Sequence, residues 1–441
     1  MRAMMRKPVA AGSFYHALPD KLAGVVESLT DAAAVKEEVI GLVCPHAGYA
    51  YSGKVAGATI SRVRLTDTVI ILGPNHTGLG QPFSVMTSGK WEMPFGYVDV
   101  DTELAVRLVG CSSYLVEDIQ AHLREHSIEV HLPFLQHFKK DIKIVPIVLS
   151  QASAVAYKEI GAEIADVMND IGKEVVILAS SDMTHYESQE QARAKDDYAI
   201  QAILKLDVDA LLERQAERNI TMCGCAPVAV LMAAAKSLGA QRADLVSYTT
   251  SGEATGDCSS VVGYAGIIIP SIPMSPLAKL ARRAIAAYVE EGLVIPLPSN
   301  LTSETQARAG VFVSLYKGGE LRGCIGTFEP SRRNVAEEII MNAVSAATRD
   351  PRFEPVKTEE LRDLEISVDV LTEPEEIESK EQLDPYRYGV IVARGIRRGL
   401  LLPNLKGVDT AEQQIDICRR KADIGADEKI RLYRFEIKRY H

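Results

Sequence analysis

The stretch Thr68-Val-Ile-Ile-Leu-Gly-Pro-Asn-His-Thr-Gly78 joins a β-branched, apolar run directly to a turn that contains His76. A short apolar run bounded by turn residues predicts a strand that is buried on both faces of a sheet. Two more runs have this form and lead into polar turns: residues 39–44 before His46, and residues 175–178 before Asp182 and His185. The three runs predict a sheet that carries polar side chains just beyond its strand ends.

The segments between these runs have helical patterns at residues 101–109, 154–169 and 189–206, and residues 142–148 form another candidate strand. Buried strands that alternate with helices predict an α/β domain with a largely parallel or mixed sheet flanked by helices. Open sheets of this type usually bind ligands beyond the carboxyl ends of their strands. We therefore expect four side chains to converge there, although no single spacing requires it: His46, His76, Asp182 and His185.

A change of composition occurs at residues 270–276, where three prolines in seven residues interrupt any helix or central strand. We predict a first domain at residues 1–270, a linker at 271–276 and a second domain at 277–441. The second part has the pattern of a smaller α+β domain, with candidate helices and strands at residues 276–291, 310–316, 321–326, 364–371, 410–422 and 430–437.

The composition excludes several classes of protein. The 441 residues are 47% hydrophobic and 24% charged, with a net charge of −10, as in an ordinary globular protein. The first 273 residues carry 23 basic and 32 acidic residues, so a mainly nucleic-acid-binding role is disfavoured. The sequence offers no apolar stretch of membrane-spanning length and no signal-peptide core, and its seven cysteines lack a disulfide framework. We expect a cytoplasmic protein with no membrane contact.

His46, His76 and Cys223 are the candidate metal ligands. Two neutral imidazoles and one thiolate can hold a divalent transition metal and leave coordination positions open for substrate or water. The thiolate makes iron, copper or zinc suitable ions. The alternative is that each histidine caps a loop and Cys223 is a buried thiol, because the three residues lie far apart in the sequence.

Asp182 and His185 form a candidate pair for proton transfer. A carboxylate that fixes the tautomer of an imidazole is a common arrangement for acid–base chemistry. The alternative is a turn or a helix N-cap, with the side chain of Ser181 or Asp182 as the cap.

His122-Leu-Arg-Glu-His126 matches the H-x-x-E-H pattern, which places two histidines on one face of a helix in zinc peptidases. A zinc hydrolase is therefore an alternative function, although short patterns of this kind also occur by chance. The same segment contains a polar cluster that we expect to line the cleft: Glu125, His126, Glu129 and His131.

Two cysteine-containing segments have both a chemical and a structural interpretation. Cys223-Gly-Cys225 is either redox-active or chelating, or it is a tight turn that opens a helix with Pro227 in the first turn; that helix would lower the pKa of a nearby thiol. In the second domain, Arg322-Gly-Cys-Ile-Gly326 allows close backbone approach at Gly323 and Gly326. Arg322 could hold an anionic group beside Cys324, or the segment is a strand with a glycine bulge.

Two family resemblances follow from motifs in order along the chain. Residues from about Lys7 to Ile269 resemble the Memo family, through the motifs PVAAGSFY at 8–15, PHAGY at 45–49, GPNH at 73–76, EHSIEVHLP at 125–133, SSDMTH at 180–185 and MCG at 222–224. Residues from about Leu277 to Arg439 resemble the AMMECR family, through LRGCIGT at 321–327, DPRF at 350–353, LEISVDVL at 364–371 and RGLLLP at 398–403.

The Memo resemblance implies a fold similar to that of the LigB-type (class III) extradiol dioxygenases, which are non-haem iron enzymes. It implies that His46, His76 and Cys223 bind the metal, with the cysteine where the dioxygenases have a carboxylate. Asp182 and His185 match a second pair in the same cleft, with His185 as the acid–base residue and Asp182 orienting it. Cys225 and His122 have no counterpart.

These resemblances imply a metal-dependent redox protein with one divalent metal in the first domain, iron preferred and copper or zinc as alternatives. Arg322, Gly323, Cys324 and Gly326 are the expected functional patch of the AMMECR-like domain. Fusions of this type are similar to members of a prokaryotic system that includes a radical-SAM protein, which is the expected partner beside a small-molecule or peptide substrate. The alternative is a non-enzymatic peptide- or protein-binding module that uses the same cleft.

Overall fold

The structure is a computed structural model that describes residues 4–171, 173–271, 274–298, 301–405 and 407–441. The chain forms two compact units, residues 1–272 and 273–441. The predicted linker at 271–276 includes Ile272 and Pro273, which lie outside the described residues. No helix among the described residues is long and apolar enough to cross a lipid bilayer.

The first unit is built on one mixed sheet of twelve strands. These are β1 (Met5–Arg6), β2 (Val39–Cys44), β3 (Thr68–Pro74), β4 (Phe83–Val85), β5 (Lys90–Met93), β6 (Gly96–Val100), β7 (Val116–Glu117), β8 (Lys143–Leu149), β9 (Val175–Ser180), β10 (His185–Glu187), β11 (Asp244–Thr250) and β12 (Val261–Pro270). The main order is β1-β5-β6-β8-β3-β9-β2-β12-β10, with β4, β7 and β11 paired beside it.

The centre of this sheet consists of parallel strands in the order β8-β3-β9-β2. Every residue of β2, β3 and β9 is buried, which explains the apolar runs without alternation. Beyond β2 the sheet continues with the antiparallel strand β12. The predicted mixed sheet flanked by helices is therefore confirmed.

Nine α-helices cover this sheet in the described part of the unit. They are α1 (Pro19–Leu29), α2 (Tyr49–Ser61), α3 (Thr102–Cys111), α4 (Leu132–Phe138), α5 (Ala154–Asp170), α6 (Gln189–Leu204), α7 (Val208–Arg218), α8 (Cys225–Ser237) and α9 (Ser251–Thr255). Two single 3₁₀ turns lie at Gln120–His122 and Glu129–His131. Helix α8 is buried at eleven of its thirteen residues, so it forms part of the core rather than a covering layer.

An internal ion pair fixes the N-terminal segment to the first unit. The guanidinium of Arg6 lies 2.6 Å from Glu129, and both side chains are fully buried. Glu129 also accepts hydrogen bonds from the backbone N–H groups of Val9 and Ala10 and from the hydroxyl of Tyr15. The ring of Trp91 lies 3.9 Å from the Arg6 guanidinium. These contacts satisfy the buried carboxylate on every side, as a buried charge requires.

The second unit has two four-stranded antiparallel sheets. One has the order β14-β13-β15-β20, with β13 (Val311–Lys317), β14 (Glu320–Thr327), β15 (Leu364–Leu371) and β20 (Ile437–Tyr440). The other has the order β16-β19-β17-β18, with β16 (Glu375–Ile377), β17 (Gly389–Arg394), β18 (Arg397–Leu401) and β19 (Arg431–Phe435). Its α-helices are α10 (Pro276–Glu291), α11 (Ser303–Gln306), α12 (Val335–Thr348) and α13 (Ala411–Lys421), and 3₁₀ turns lie at Thr358–Asp363 and Lys380–Gln382.

Each sheet of the second unit has its own apolar core. Helices α10 and α12 pack on the sheet of β13 and β15, and α13 packs on the sheet of β17 and β18. A smaller cluster around Leu371, Ile391 and Phe435 joins the two sheets. The prediction of an α+β domain is confirmed, but the single strand predicted at 430–437 is wrong, because the chain passes from one sheet to the other at Glu436.

We predict that Glu129→Gln destabilises the first unit by about 3 kcal/mol, because it leaves the Arg6 guanidinium buried without a countercharge. Urea unfolding followed by tryptophan fluorescence measures this, since Trp91 is the only tryptophan and is buried in this unit. Glu213→Gln, at an exposed position of α7, is the matched control and should leave the midpoint unchanged. A Glu129→Gln midpoint equal to that of the wild type would contradict the role assigned to the ion pair.

Candidate metal centre

The sheet places three polar residues at equivalent points. Strands β2, β3 and β9 end at Cys44, Pro74 and Ser180, and in each case the second residue after the strand is polar. These residues are His46, His76 and Asp182. Because β2 and β3 both pair in parallel with β9, the three turns leave the sheet at the same edge.

His46 is held from both its backbone and its ring. Its backbone N–H donates to the Asp182 carboxylate at 2.8 Å, and its ring Nδ1 lies 2.8 Å from the Ser180 hydroxyl. The side chain is buried, and burial together with the neighbouring imidazoles lowers its pKa well below the ordinary value. His46 is therefore neutral, which is the form that binds a metal.

His76 is partly exposed and is oriented by Glu125. The ring Nδ1 donates to a Glu125 carboxylate oxygen at 2.9 Å, and the backbone N–H of His76 donates to the other oxygen at 2.7 Å. Because a carboxylate only accepts, the Nδ1 atom carries a hydrogen. Burial acts against the charged form of the ring, but the hydrogen bond and charge of Glu125 outweigh it and raise the pKa of His76. In the neutral ring, the Nε2 lone pair is free to bind a metal. A carboxylate behind a histidine is the usual support of a metal-binding imidazole.

Cys223 reaches the site on a segment that requires a glycine. Its Sγ lies 3.3 Å from the His46 Nε2 atom and accepts from the backbone N–H of Asp182 at 3.3 Å. A Cβ on Gly224 would lie closer than 3.0 Å to the Ser180 carbonyl oxygen and to the Ser181 side chain. The segment before α8 can therefore pack against the end of β9 only without a side chain at residue 224.

The three predicted ligands come together. One ligand atom from each of His46, His76 and Cys223 lies within 4.8 Å of the other two. The imidazole rings of His46 and His76 meet edge to face, with centroids 5.1 Å apart. Two nitrogen donors and one sulfur donor at this spacing fit a transition metal with open coordination positions.

The predicted helix-terminus effect on the thiols is wrong, because desolvation dominates. Burial raises the pKa of Cys223 above the ordinary thiol value, and burial raises the pKa of Cys225 to about 12. Cys225 is the first residue of α8, with Pro227 in the first turn as expected, and it belongs to the helix core. A cation at the site would favour the thiolate form of Cys223.

The sequence suggested that Asp182 orients His185, but the structure shows no such contact. Its carboxylate accepts from the backbone N–H of His46, and burial raises its pKa to about 7. The ring Nδ1 of His185 instead donates to the carbonyl oxygen of Thr221 at 3.0 Å, and its backbone N–H donates to the Thr221 hydroxyl. The pair is therefore two separate residues, each fixed by the backbone of a neighbouring segment.

The H-x-x-E-H segment does not form a peptidase helix. Its first histidine, His122, ends a 3₁₀ turn and is fully buried near Trp91, whereas His126 lies in an irregular segment. His122 is in neither group of candidate metal ligands among the described residues. The ring of His126 stacks on His76 at 4.8 Å, so only this half of the pattern reaches the site.

The other members of the predicted cleft-lining cluster have supporting positions. Glu125 is buried and orients His76, and with His76 and His126 it forms a second group whose ligand atoms lie within 4.8 Å. Glu129 belongs to the Arg6 ion pair, and His131 is buried with its Nε2 atom 2.8 Å from the Ser180 hydroxyl. The expectation that Glu125, Glu129 and His131 line the cleft is therefore wrong, because all three side chains are buried.

The predicted patch of the second unit has a mainly structural geometry. Arg322 forms hydrogen bonds to both carboxylate oxygens of Glu360, at 3.1 and 2.9 Å. Its guanidinium is therefore not free to hold the anionic ligand that the sequence suggested. A Cβ on Gly323 would lie closer than 3.0 Å to the Ala346 carbonyl oxygen of α12, and one on Gly326 would meet the Phe312 ring. The register of β13 and β14 shifts beside Arg322, as a bulge does.

Cys324 is a partly exposed member of this patch. Its backbone N–H donates to Asp350 at 2.8 Å, and its carbonyl oxygen accepts from Arg352 at 3.2 Å. Its thiol lies 3.2 Å from the Ser314 hydroxyl on the neighbouring strand. Asp350 and Arg352 both lie in the DPRF motif that carries the AMMECR resemblance, but nothing in the sequence shows that they bond to Cys324.

Two supporting residues of the metal group were also missed. Ser180 contacts both His46 and His131, and Thr221 fixes His185. Ser180 lies in the SSDMTH motif and Thr221 precedes the MCG motif, but a serine or threonine does not by itself indicate that it orients a histidine. Only distances between segments that are remote in sequence identify them.

The fold and the site define an α/β protein with one candidate His₂Cys metal centre, joined to a second, α+β unit. The chain belongs to the Memo-like protein family, whose sequence model matches residues 6–268, and the AMMECR1 family model matches residues 278–440. The protein is thus a Memo domain joined to an AMMECR1 domain.

Similar proteins each match part of this chain. A MEMO1 family protein of Methanosarcina barkeri is 45% identical over 267 residues, which is 60% of this chain and 100% of that protein. A MEMO1 family protein of Methanocaldococcus jannaschii is 42% identical over 284 residues, 60% of this chain and 99% of that protein. The crystal structure of an uncharacterized protein from Pyrococcus horikoshii is 36% identical and covers 37% of this chain and 88% of that one, with a TM-score of 0.35.

We predict that Gly224→Ala destabilises the first unit by about 1–3 kcal/mol, because the added methyl group meets backbone atoms at the end of β9. Urea unfolding followed by Trp91 fluorescence measures the change. Gly110→Ala is the matched control, since a Cβ at this position of α3 has no neighbour within 4 Å and should not lower stability. Equal midpoints for Gly224→Ala and the wild type would contradict the close approach described here.

Proposed function

We propose that the Memo domain is a metal-dependent redox protein that holds one divalent transition metal through His46, His76 and Cys223. Iron is the preferred ion and copper is the alternative for redox chemistry; zinc fits the same donors but is redox-inert. The observation that carries this proposal is the convergence of the three ligand atoms within 4.8 Å at the carboxyl ends of parallel strands. The oriented Nε2 atom of His76, with Glu125 behind it, supports a site built for a cation.

The donor set indicates the type of chemistry. Three protein ligands leave coordination positions open, as catalytic metal sites do. A bound iron or copper ion would supply one-electron and oxygen chemistry, and a thiolate ligand suits these ions better than it suits magnesium or calcium. This proposal includes a relationship to the class III extradiol dioxygenases, with Cys223 in place of a carboxylate.

His185 is proposed as the acid–base residue. Its Nδ1 atom donates a hydrogen bond to the Thr221 carbonyl oxygen, so the lone pair of Nε2 is available to accept a proton from a substrate. Burial lowers its pKa, which keeps the imidazole neutral at pH 7. Asp182 holds the turn of His46 through the backbone rather than taking part in this proton transfer.

A peptide-binding function without catalysis is the second candidate. Large exposed rings favour it, since the side chain of Tyr186 beside His185 is 80% exposed and that of Tyr51, near His46 in sequence, is 45% exposed. Under this alternative, His46→Ala keeps its peptide partner. The radical-SAM partner, the activity of the AMMECR1 domain and the cytoplasmic location stay predictions.

We predict that protein purified without oxygen and reconstituted with iron contains close to one equivalent of metal per chain. His46→Ala and Cys223→Ala should each lose it, because either change removes one of three donors. Mass spectrometry of total metal content measures this. Cys225→Ala is the matched control, since that thiol lies two residues away in the core of α8 and outside the ligand group.

A wild-type protein that takes up no iron, copper or zinc would overturn the redox proposal and favour the peptide-binding function. Metal that persists in both ligand variants would place the ion elsewhere. Zinc as the bound ion in the native protein would favour a structural or hydrolytic role at the same residues.

A further inference from the structure

Ser180 is the last residue of β9 and is fully buried at the centre of three contacts. Its Oγ atom lies 2.7 Å from the carbonyl oxygen of Ser127, 2.8 Å from the Nδ1 atom of His46 and 2.8 Å from the Nε2 atom of His131. A serine hydroxyl has one hydrogen to donate and two lone pairs that accept. The three contacts therefore use the full hydrogen-bonding capacity of this group.

The identity of the partners fixes the direction of each bond. A backbone carbonyl only accepts, so the hydroxyl hydrogen is donated to Ser127. Both imidazoles must then donate to the Ser180 oxygen, and the hydrogen of His46 lies on Nδ1. The Nε2 lone pair of His46 is left facing the Cys223 sulfur, 3.3 Å away.

We infer that Ser180 is a positioning residue for the metal centre, which fixes His46 in the tautomer whose Nε2 atom can bind a metal. The role of Ser180 in metal binding rests on the proposed function, whereas the position of the His46 hydrogen follows from the contacts of the protein itself. In the opposite arrangement, the Ser180 hydroxyl would donate to His46, and the Ser127 carbonyl oxygen would lose its hydrogen bond. The hydrogen of His46 would then lie on Nε2, where it blocks that nitrogen as a ligand.

His131 supports the same arrangement from the other side. It is buried and occupies the second lone pair of the Ser180 oxygen, while its own Nδ1 atom has no partner among the described residues. An unpartnered ring nitrogen is unfavourable in a dry interior, and an apolar side chain of similar size would avoid it. A histidine at position 131 can donate a hydrogen bond to Ser180, whereas a phenylalanine could not.

The hydrogen position can be measured directly in the metal-free protein. Long-range proton–nitrogen NMR spectra of protein labelled with ¹⁵N-histidine distinguish a ring nitrogen that carries hydrogen from one that does not, and His46→Gln identifies the His46 signals. We expect hydrogen on Nδ1 of His46 in the wild type and a shift of the population toward Nε2 in Ser180→Ala. Hydrogen on Nε2 in the wild type would overturn the inference.

Ser127→Ala is the matched control for this measurement. Ser127 is also fully buried, but its side chain makes only a 3.5 Å contact with the Pro74 carbonyl oxygen, and its own carbonyl remains in the variant. We expect the wild-type tautomer in Ser127→Ala. A purely packing role for Ser180 predicts the same tautomer in both alanine variants, and that result would overturn the inference.

Metal affinity provides the second readout. We expect anaerobic Fe²⁺ titration to show an affinity about 10- to 100-fold lower in Ser180→Ala than in the wild type, as for other groups that support a metal ligand. Ser127→Ala should bind as the wild type does, and Trp91 fluorescence verifies that both variants are folded. Equal affinity in Ser180→Ala and the wild type would overturn the positioning role.

The two measurements separate this inference from the proposed function. If the wild-type protein binds no metal, the proposed function fails, but the NMR spectra still show where the His46 hydrogen lies. Hydrogen on Nδ1 would then support the Ser180 assignment, and hydrogen on Nε2 would overturn it. If the protein binds metal while His46 carries hydrogen on Nε2 in the metal-free state, only the present inference fails.

Discussion

The parallel pairing of β2, β9 and β3 is the constraint on which the site depends. These strands are buried along their whole length, so their backbone groups must bond to one another. Because they run in the same direction, the turns that follow them meet at one edge. His46, His76 and Asp182 each lie two residues past a strand, and the sheet thus brings together residues that are up to 136 positions apart.

The sequence was sufficient for the fold class and for the candidate ligands, for different reasons. The apolar runs of the central strands and the amphipathic helices have clear periodicity, because packing against the sheet imposes it. The candidate ligands came from the chemistry of their donor atoms and from a family resemblance, rather than from spacing. The sequence does not show that Ser180 and Thr221 orient the histidines, since serine and threonine are common in turns and nothing local distinguishes these two.

The errors of interpretation also have physical causes. The H-x-x-E-H pattern places its two histidines on one face only when the segment is a continuous α-helix. Residues 120–131 instead form two short 3₁₀ turns joined by an irregular segment. Asp182 and His185 are close in sequence, but the chain between them directs one side chain to the turn of His46 and the other to Thr221. Arg322 lies beside glycines that suggest ligand binding, yet Gly323 is there because α12 packs against β14, and Glu360 already pairs with the guanidinium.

The ion pair of Arg6 and Glu129 has a consequence for biosynthesis. The two residues are 123 positions apart, so the segment that carries Arg6 has no partner for its guanidinium until Glu129 has also been synthesised. Contacts of such long range form slowly, because a large loop must close before they contribute. The segment that carries Arg6, Ala10 and Tyr15 can therefore dock only after Glu129 has left the ribosome.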